Sequence, residues 1–177
     1  MALIFESSTC AICGELLDRP YTATSGVFFP YENLLYRYCD APLHFECLER
    51  WPERGTFSAG YFEMALNDYR LYGNLLIEQD NWILGCGRTR YNKPPEWISG
   101  SLRNELPHYA EVRLSDWPFR LYSYWSDWDT FIGEGYREGL AGEALKATER
   151  IMAEVRQVAP DGRALLGLLE KSYRNAA

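Results

Sequence analysis

The sequence predicts an α+β fold: a small cysteine and histidine module, then antiparallel sheet material, then helices. Three observations predict it. Two pairs of metal-type ligands, Cys10/Cys13 and His44/Cys47, stand near the start of the chain. The middle, from Asn74 to Trp125, holds short stretches rich in β-branched and aromatic residues. From Gly142 onward, apolar residues recur at helical spacing. The 177 residues, 15% of them aromatic, are enough for a packed core. We expect a zinc-binding module at 1–55 and an α+β body at 56–177, packed as one compact unit.

The elements follow in order. CAICGE, Cys10 to Glu15, reads as a tight knuckle, with Gly14 suited to the turn. The runs YTATSGVFFP and NLLYRYC, separated by turn material at Pro30 to Asn33, predict a β-hairpin. Asp40 is the expected N-cap of a short helix from Leu43 to Arg50, with Pro42 tolerated in its first turn. A second helix is expected from Phe57 to Tyr72. In NLLIEQDNWILGCG, Asp80-Asn81 between two apolar runs signals a two-residue hairpin turn.

Arg88 to Pro107, with adjacent prolines, reads as a long loop. YAEVRLSDWPFRLYSYW predicts two strands joined at Asp116 to Pro118. Val112 and Leu114 alternate there with Arg113 and Ser115, the pattern of a sheet open to water on one face. Ser126 is expected to cap an aromatic turn. Leu145, Thr148, Ile151/Met152, Val155 and Val158 trace one stripe of a helix over Gly142 to Ala159. Asp161 then caps a last helix with Leu165, Leu169 and Tyr173, ending in a frayed Asn-Ala-Ala.

A structural zinc ion takes four sulfur or imidazole donors in a tetrahedron. The C-x-x-C knuckle aims two sulfurs at one point, and His44 and Cys47, three residues apart on a helix, project from one face. The predicted ligands are Cys10, Cys13, His44 and Cys47, with Asp40 as a hydrogen-bond partner for the second imidazole nitrogen. Other readings stand beside this one: Cys39 in place of one ligand, a redox role for Cys10/Cys13, or buried cysteines without metal.

A knuckle, a hairpin and a helix, with two ligands at each end, resemble the treble-clef zinc finger over Cys10 to about Arg50. The string C-x-x-C…C-x4-H-x-x-C also resembles half of a RING domain. Downstream only Cys86 and His108 remain, so the second metal site of a RING cannot be built. Leu43 to Tyr72 and Asp116 to Phe131 resemble small bacterial proteins with an N-terminal CxxC…HxxC zinc module, some found near toxin or defence genes. That resemblance implies a structural zinc ion and no catalytic motif.

A closed set of protein ligands disfavours catalytic zinc, and no nucleophile–base set or phosphate loop is present. The expected function is therefore a non-enzymatic protein-interaction module of the immunity or adaptor kind. Its net charge of −7 opposes non-specific nucleic-acid binding and suits a basic protein partner. Trp117, Trp125 and Trp128 read either as its contact surface or as core. The alternatives are a carboxylate-dependent hydrolase or nuclease-like enzyme, and a nucleic-acid-binding regulator seeded on Arg88, Arg90 and Lys93. Five cysteines without an export signal or membrane span point to the cytoplasm rather than a disulfide framework.

Overall fold

The computed structural model describes residues 4–72, 74–87, 107–135 and 139–176. The expected long loop, with Arg88, Arg90, Lys93 and Trp97, lies outside them, as does the Tyr173 side chain. The elements are β1 (Tyr21–Ala23), β2 (Pro42–His44), α1 (Phe45–Arg50), α2 (Arg54–Tyr72), β3 (Leu75–Glu78), β4 (Trp82–Cys86), β5 (Tyr109–Leu114), β6 (Arg120–Tyr124), α3 (Trp128–Glu134), α4 (Gly142–Val158) and α5 (Gly162–Ala176). The chain is thus α+β, with a two-stranded antiparallel pair β1-β2 and a four-stranded antiparallel meander β3-β4-β5-β6.

The meander forms the middle layer. Because side chains alternate across a strand, Trp82, Leu84, Ala110, Val112, Leu114 and Leu121 face one way and join Ala144, Ile151, Met152, Val155 and Leu165 of α4 and α5 in the main core. Ile83 faces the other way and packs with Phe62, Ala65 and Leu66 of α2. The second face is covered at β4 and β5, which corrects the half-open sheet expected there from the Val112/Leu114 alternation. It opens to water at β6, where Tyr122 and Tyr124 are exposed. Glu111 and Arg113 of β5 are 2% and 8% exposed, because α2 lies over the face that alternation assigns to water.

Gly85, paired with Glu111, shows how closely α2 approaches that face. A Cβ at this position would stand 2.6 Å from the Tyr69 ring. Gly85→Ala is expected to force that ring aside and destabilise the protein by ~1–3 kcal/mol. Urea unfolding measures this, and an unchanged midpoint would mean that α2 packs less tightly than described.

The helices follow their sequence signals closely. α2 begins at Arg54, ahead of the expected Phe57. The Gln79 N–H bonds the Trp82 carbonyl at 2.9 Å, closing the β3-β4 hairpin about Asp80-Asn81. Asp161 caps α5 through Oδ1, which accepts the Ala164 N–H at 2.8 Å. That helix runs to Ala176, so the expected fraying is not seen at Asn175 and Ala176. Ser126 does not cap a helix. It sits within a 3-10 turn, Trp125–Asp127, and donates to Asp127 Oδ1 at 3.0 Å.

Two tryptophans expected as either core or contact surface lie in the core. Trp117 is 2% and Trp128 0% exposed. The Trp128 indole N–H donates to the Ala159 carbonyl at 3.0 Å, so burial leaves its polar end satisfied. Trp125 is half-buried and packs against the same core.

The first third of the chain departs most from expectation. Tyr21–Ala23 pairs with Pro42–His44 in the register Tyr21↔His44, so the hairpin about Pro30 to Asn33 does not form. Residues 34–38 instead make turns, with a 3-10 helix at Tyr36–Tyr38 after Asn33 Oδ1 accepts the Leu35 N–H. Asp40 is not a helix cap. Its φ of 53° reverses the chain into β2, a conformation that Asp tolerates better than most residues.

The span of residues 25–40 is a surface loop whose ends meet. Buried Thr24 closes its base: its N–H donates to the Ala41 carbonyl at 3.0 Å, and its Oγ1 accepts the Ala41 N–H at 3.2 Å. Phe28 packs on Phe57 and Tyr61 of α2 with ring centroids at 4.9 and 5.0 Å.

Candidate metal centre

The knuckle is a backbone construction. The Cys10 N–H donates to the Glu15 carbonyl and the Gly14 N–H to the Cys10 carbonyl, each at 2.8 Å. Gly14 has a φ of 77°, a left-handed conformation in which glycine avoids the Cβ clash. The Ala11 N–H bonds the Pro42 carbonyl at 3.0 Å, docking the knuckle on β2. His44 ends β2 and occupies the N-cap position of α1, and Cys47 sits within that helix's first turn. His44 therefore lies just outside the helix expected to carry it, and the strand end brings its ring beside Cys47.

Cys10, Cys13, His44 and Cys47 come together with all four donor atoms within 4.8 Å of one another. His44 Nδ1 lies 3.5 Å from Cys13 Sγ and 3.8 Å from Cys47 Sγ. A tetrahedral ion bonded at about 2.3 Å to sulfur and about 2.0 Å to nitrogen separates its donors by roughly 3.5–3.8 Å. The donor set therefore fits a metal ion. Cys39 stays outside it, half-buried against the main core.

The imidazole is oriented by its other nitrogen. His44 Nε2 stands 3.1 Å from the Leu16 carbonyl. A carbonyl only accepts, so Nε2 carries the hydrogen and Nδ1 turns a lone pair toward the sulfurs. The Leu16 carbonyl thus takes the place expected of Asp40.

The electrostatics also suit a cation. Burial opposes ionisation of Cys10, but the Cys13, His44 and Ile12 backbone N–H groups outweigh it and hold the thiol below its ordinary value. The His44 N–H reaches the Cys10 sulfur at 3.3 Å. Burial, and then the neighbouring Cys13 and Cys10, push the Cys47 thiol up to about 12. A bound cation removes that opposition by neutralising the crowded sulfurs. The Arg19 guanidinium, which pairs with Glu46 and Glu15, lies 3.4 Å from His44 Nδ1. Its positive charge opposes the cation itself and favours the ionised sulfurs around it. Nothing in the sequence singles out Arg19, because Glu15 and Arg19 pair across an irregular turn rather than along a helix.

Cys86 lies apart from the centre, 1% exposed, with burial pushing its thiol up to about 12. Near pH 8 only about one in ten thousand such thiols is ionised. With metal-loaded native protein, a thiol reagent such as iodoacetamide is expected to modify Cys39 and to reach Cys86 only after unfolding. Peptide mapping checks this, and fast native labelling of Cys86 would contradict its burial.

Among the described residues, no helix is long and apolar enough to cross a membrane. Comparison of the chain with protein-family models, with curated proteins and with solved structures found no match.

Proposed function

We propose that the chain is a non-catalytic, zinc-stabilised module that binds another protein, as an adaptor or immunity protein does, through the loop of residues 25–40. The observation that carries this reading is the exposure of Val27, Tyr31 and Leu34 on that loop, at 61%, 79% and 89%. Exposed apolar side chains gathered on one element mark interaction surfaces, and aromatic ones carry much of the binding energy. Trp117 and Trp128, given over to the core, leave this role to the loop.

The metal centre supports the reading from the other side. Zinc suits three thiolates and an imidazole, and four protein donors complete its tetrahedron without an open position for substrate. Held there, the ion fastens the knuckle to β2 and steadies the base of the loop. The net charge of −7 favours a basic partner.

Affinity capture from native cell extract tests the proposal. Wild type is expected to retain a basic protein that elutes as salt rises. Leu34→Asp is expected to lose it, while Leu71→Asp, at an exposed position near the end of α2, retains it. Equal capture by the two variants would remove the loop as the contact surface. Metal analysis that finds no zinc in the protein would remove the structural half of the proposal.

A further inference from the structure

The sheet face beneath α2 carries charge where the opposite face is apolar. Arg113 and Arg120 stand directly opposed across β5 and β6, and like charges at such positions repel. One buried carboxylate answers both. Glu111 Oε1 receives Nε and Nη2 of Arg113 at 2.9 Å each and also the Tyr69 hydroxyl. Glu111 Oε2 lies 3.5 Å from Arg120 Nη1, an ion pair without a hydrogen bond. Arg113, 8% exposed, is left with Nη1 lacking an acceptor among the described residues.

These three side chains line a cavity of about 140 Å³ between α2 and the sheet, walled by Met64, Tyr69 and Tyr109. An apolar cavity of about 150 Å³ holds a benzene-sized molecule. Charge is balanced over the lining, Arg113 and Arg120 against Glu111 and Asp68, but the positive groups converge on the buried end. Asp68 at the cavity edge is exposed, and water screens it. An unsatisfied buried donor is costly, and arginine pairs are well matched to a planar oxyanion.

From this we propose that the cavity binds a small organic carboxylate, with its oxygens bridging Arg113 and Arg120 and its body against Tyr69, Tyr109 and Met64. A carboxylate supplies the acceptor that Arg113 Nη1 lacks among the described residues, and the aromatic walls favour a ring over a bare ion. None of the groups involved belongs to the metal centre, so this site stands or falls independently of it.

Isothermal titration in a carboxylate-free buffer tests the assignment with benzoate, acetate and inorganic phosphate on the metal-loaded 177-residue chain. Saturable benzoate binding, tighter than acetate, is expected for wild type. Arg120→Gln should weaken it at least about tenfold, the loss of one charge-assisted hydrogen bond. Arg120→Lys, which keeps the charge and secures the fold, should fall between. Arg150→Gln, outside the cavity, should bind as wild type. Absence of saturable benzoate binding, or equal affinity in Arg120→Gln, overturns the site. Phosphate binding in preference to benzoate overturns the carboxylate assignment.

Discussion

Cys10→Ser is expected to abolish metal binding and lower the melting temperature by roughly 8–16 °C, the equivalent of ~4 kcal/mol for a chain of this size. Cys10 is the most deeply placed sulfur of the four, fully buried and bonded by the His44 N–H. The damage should not stop at the knuckle. Leu43, Phe45 and Leu48, which flank His44 and Cys47, belong to the same core as the sheet and α4. Glu49 of α1 also accepts the Glu143 N–H at the start of α4, at 2.7 Å. Metal analysis alongside calorimetry checks the prediction, and stoichiometric zinc in Cys10→Ser would refute the ligand set. Metal uptake at neutral pH should also release protons, because the Cys47 thiol is held near 12 without a cation. A weakly buffered solution of apoprotein should therefore acidify when zinc is added.

The second large effect is expected at Glu111. Glu111→Ala strands the Arg113 guanidinium, which is buried against the Tyr61 ring at 4.7 Å. Removing one partner of a buried ion pair costs ~3–5 kcal/mol, whereas replacing both by apolar residues is often neutral or stabilising. Glu111→Met with Arg113→Met should therefore recover most of the loss seen in Glu111→Ala. Denaturant titration of the two singles and the double decides it. A loss below ~1 kcal/mol in Glu111→Ala would show that water reaches Arg113.

What the sequence disclosed depended on how local the cause was. The candidate metal-holding set Cys10, Cys13, His44 and Cys47 was legible because each pair is fixed by a three-residue spacing. α4 and α5 were legible because their apolar stripes and the Asp161 cap lie within a few turns. The β1-β2 pairing was not. It joins Tyr21 to His44 across the whole 25–40 loop, and the knuckle's bond to Pro42 and the gathering of His44 with the cysteines favour it over a short hairpin. Alternation in β5 correctly separated Val112 from Arg113. It could not show that a helix from an earlier part of the chain covers the charged face. α2 hides that face with Tyr61, Met64 and Tyr69, whose helical spacing marks an apolar stripe without saying which sheet face it covers.

The clasp at Thr24 bears on how this molecule can change over generations. Thr24 and Ala41 bond to each other directly, so the distance between the ends of the loop is set without reference to what lies between. Doubling such a loop adds only about 0.6 kcal/mol of closure entropy. Insertions near Tyr31, between the packed Phe28 and the buried Leu35, should leave Cys10, Cys13, His44 and Cys47 where they are. The tip is then free to drift in length and composition, while the Cys/His centre and the sheet stay under constraint.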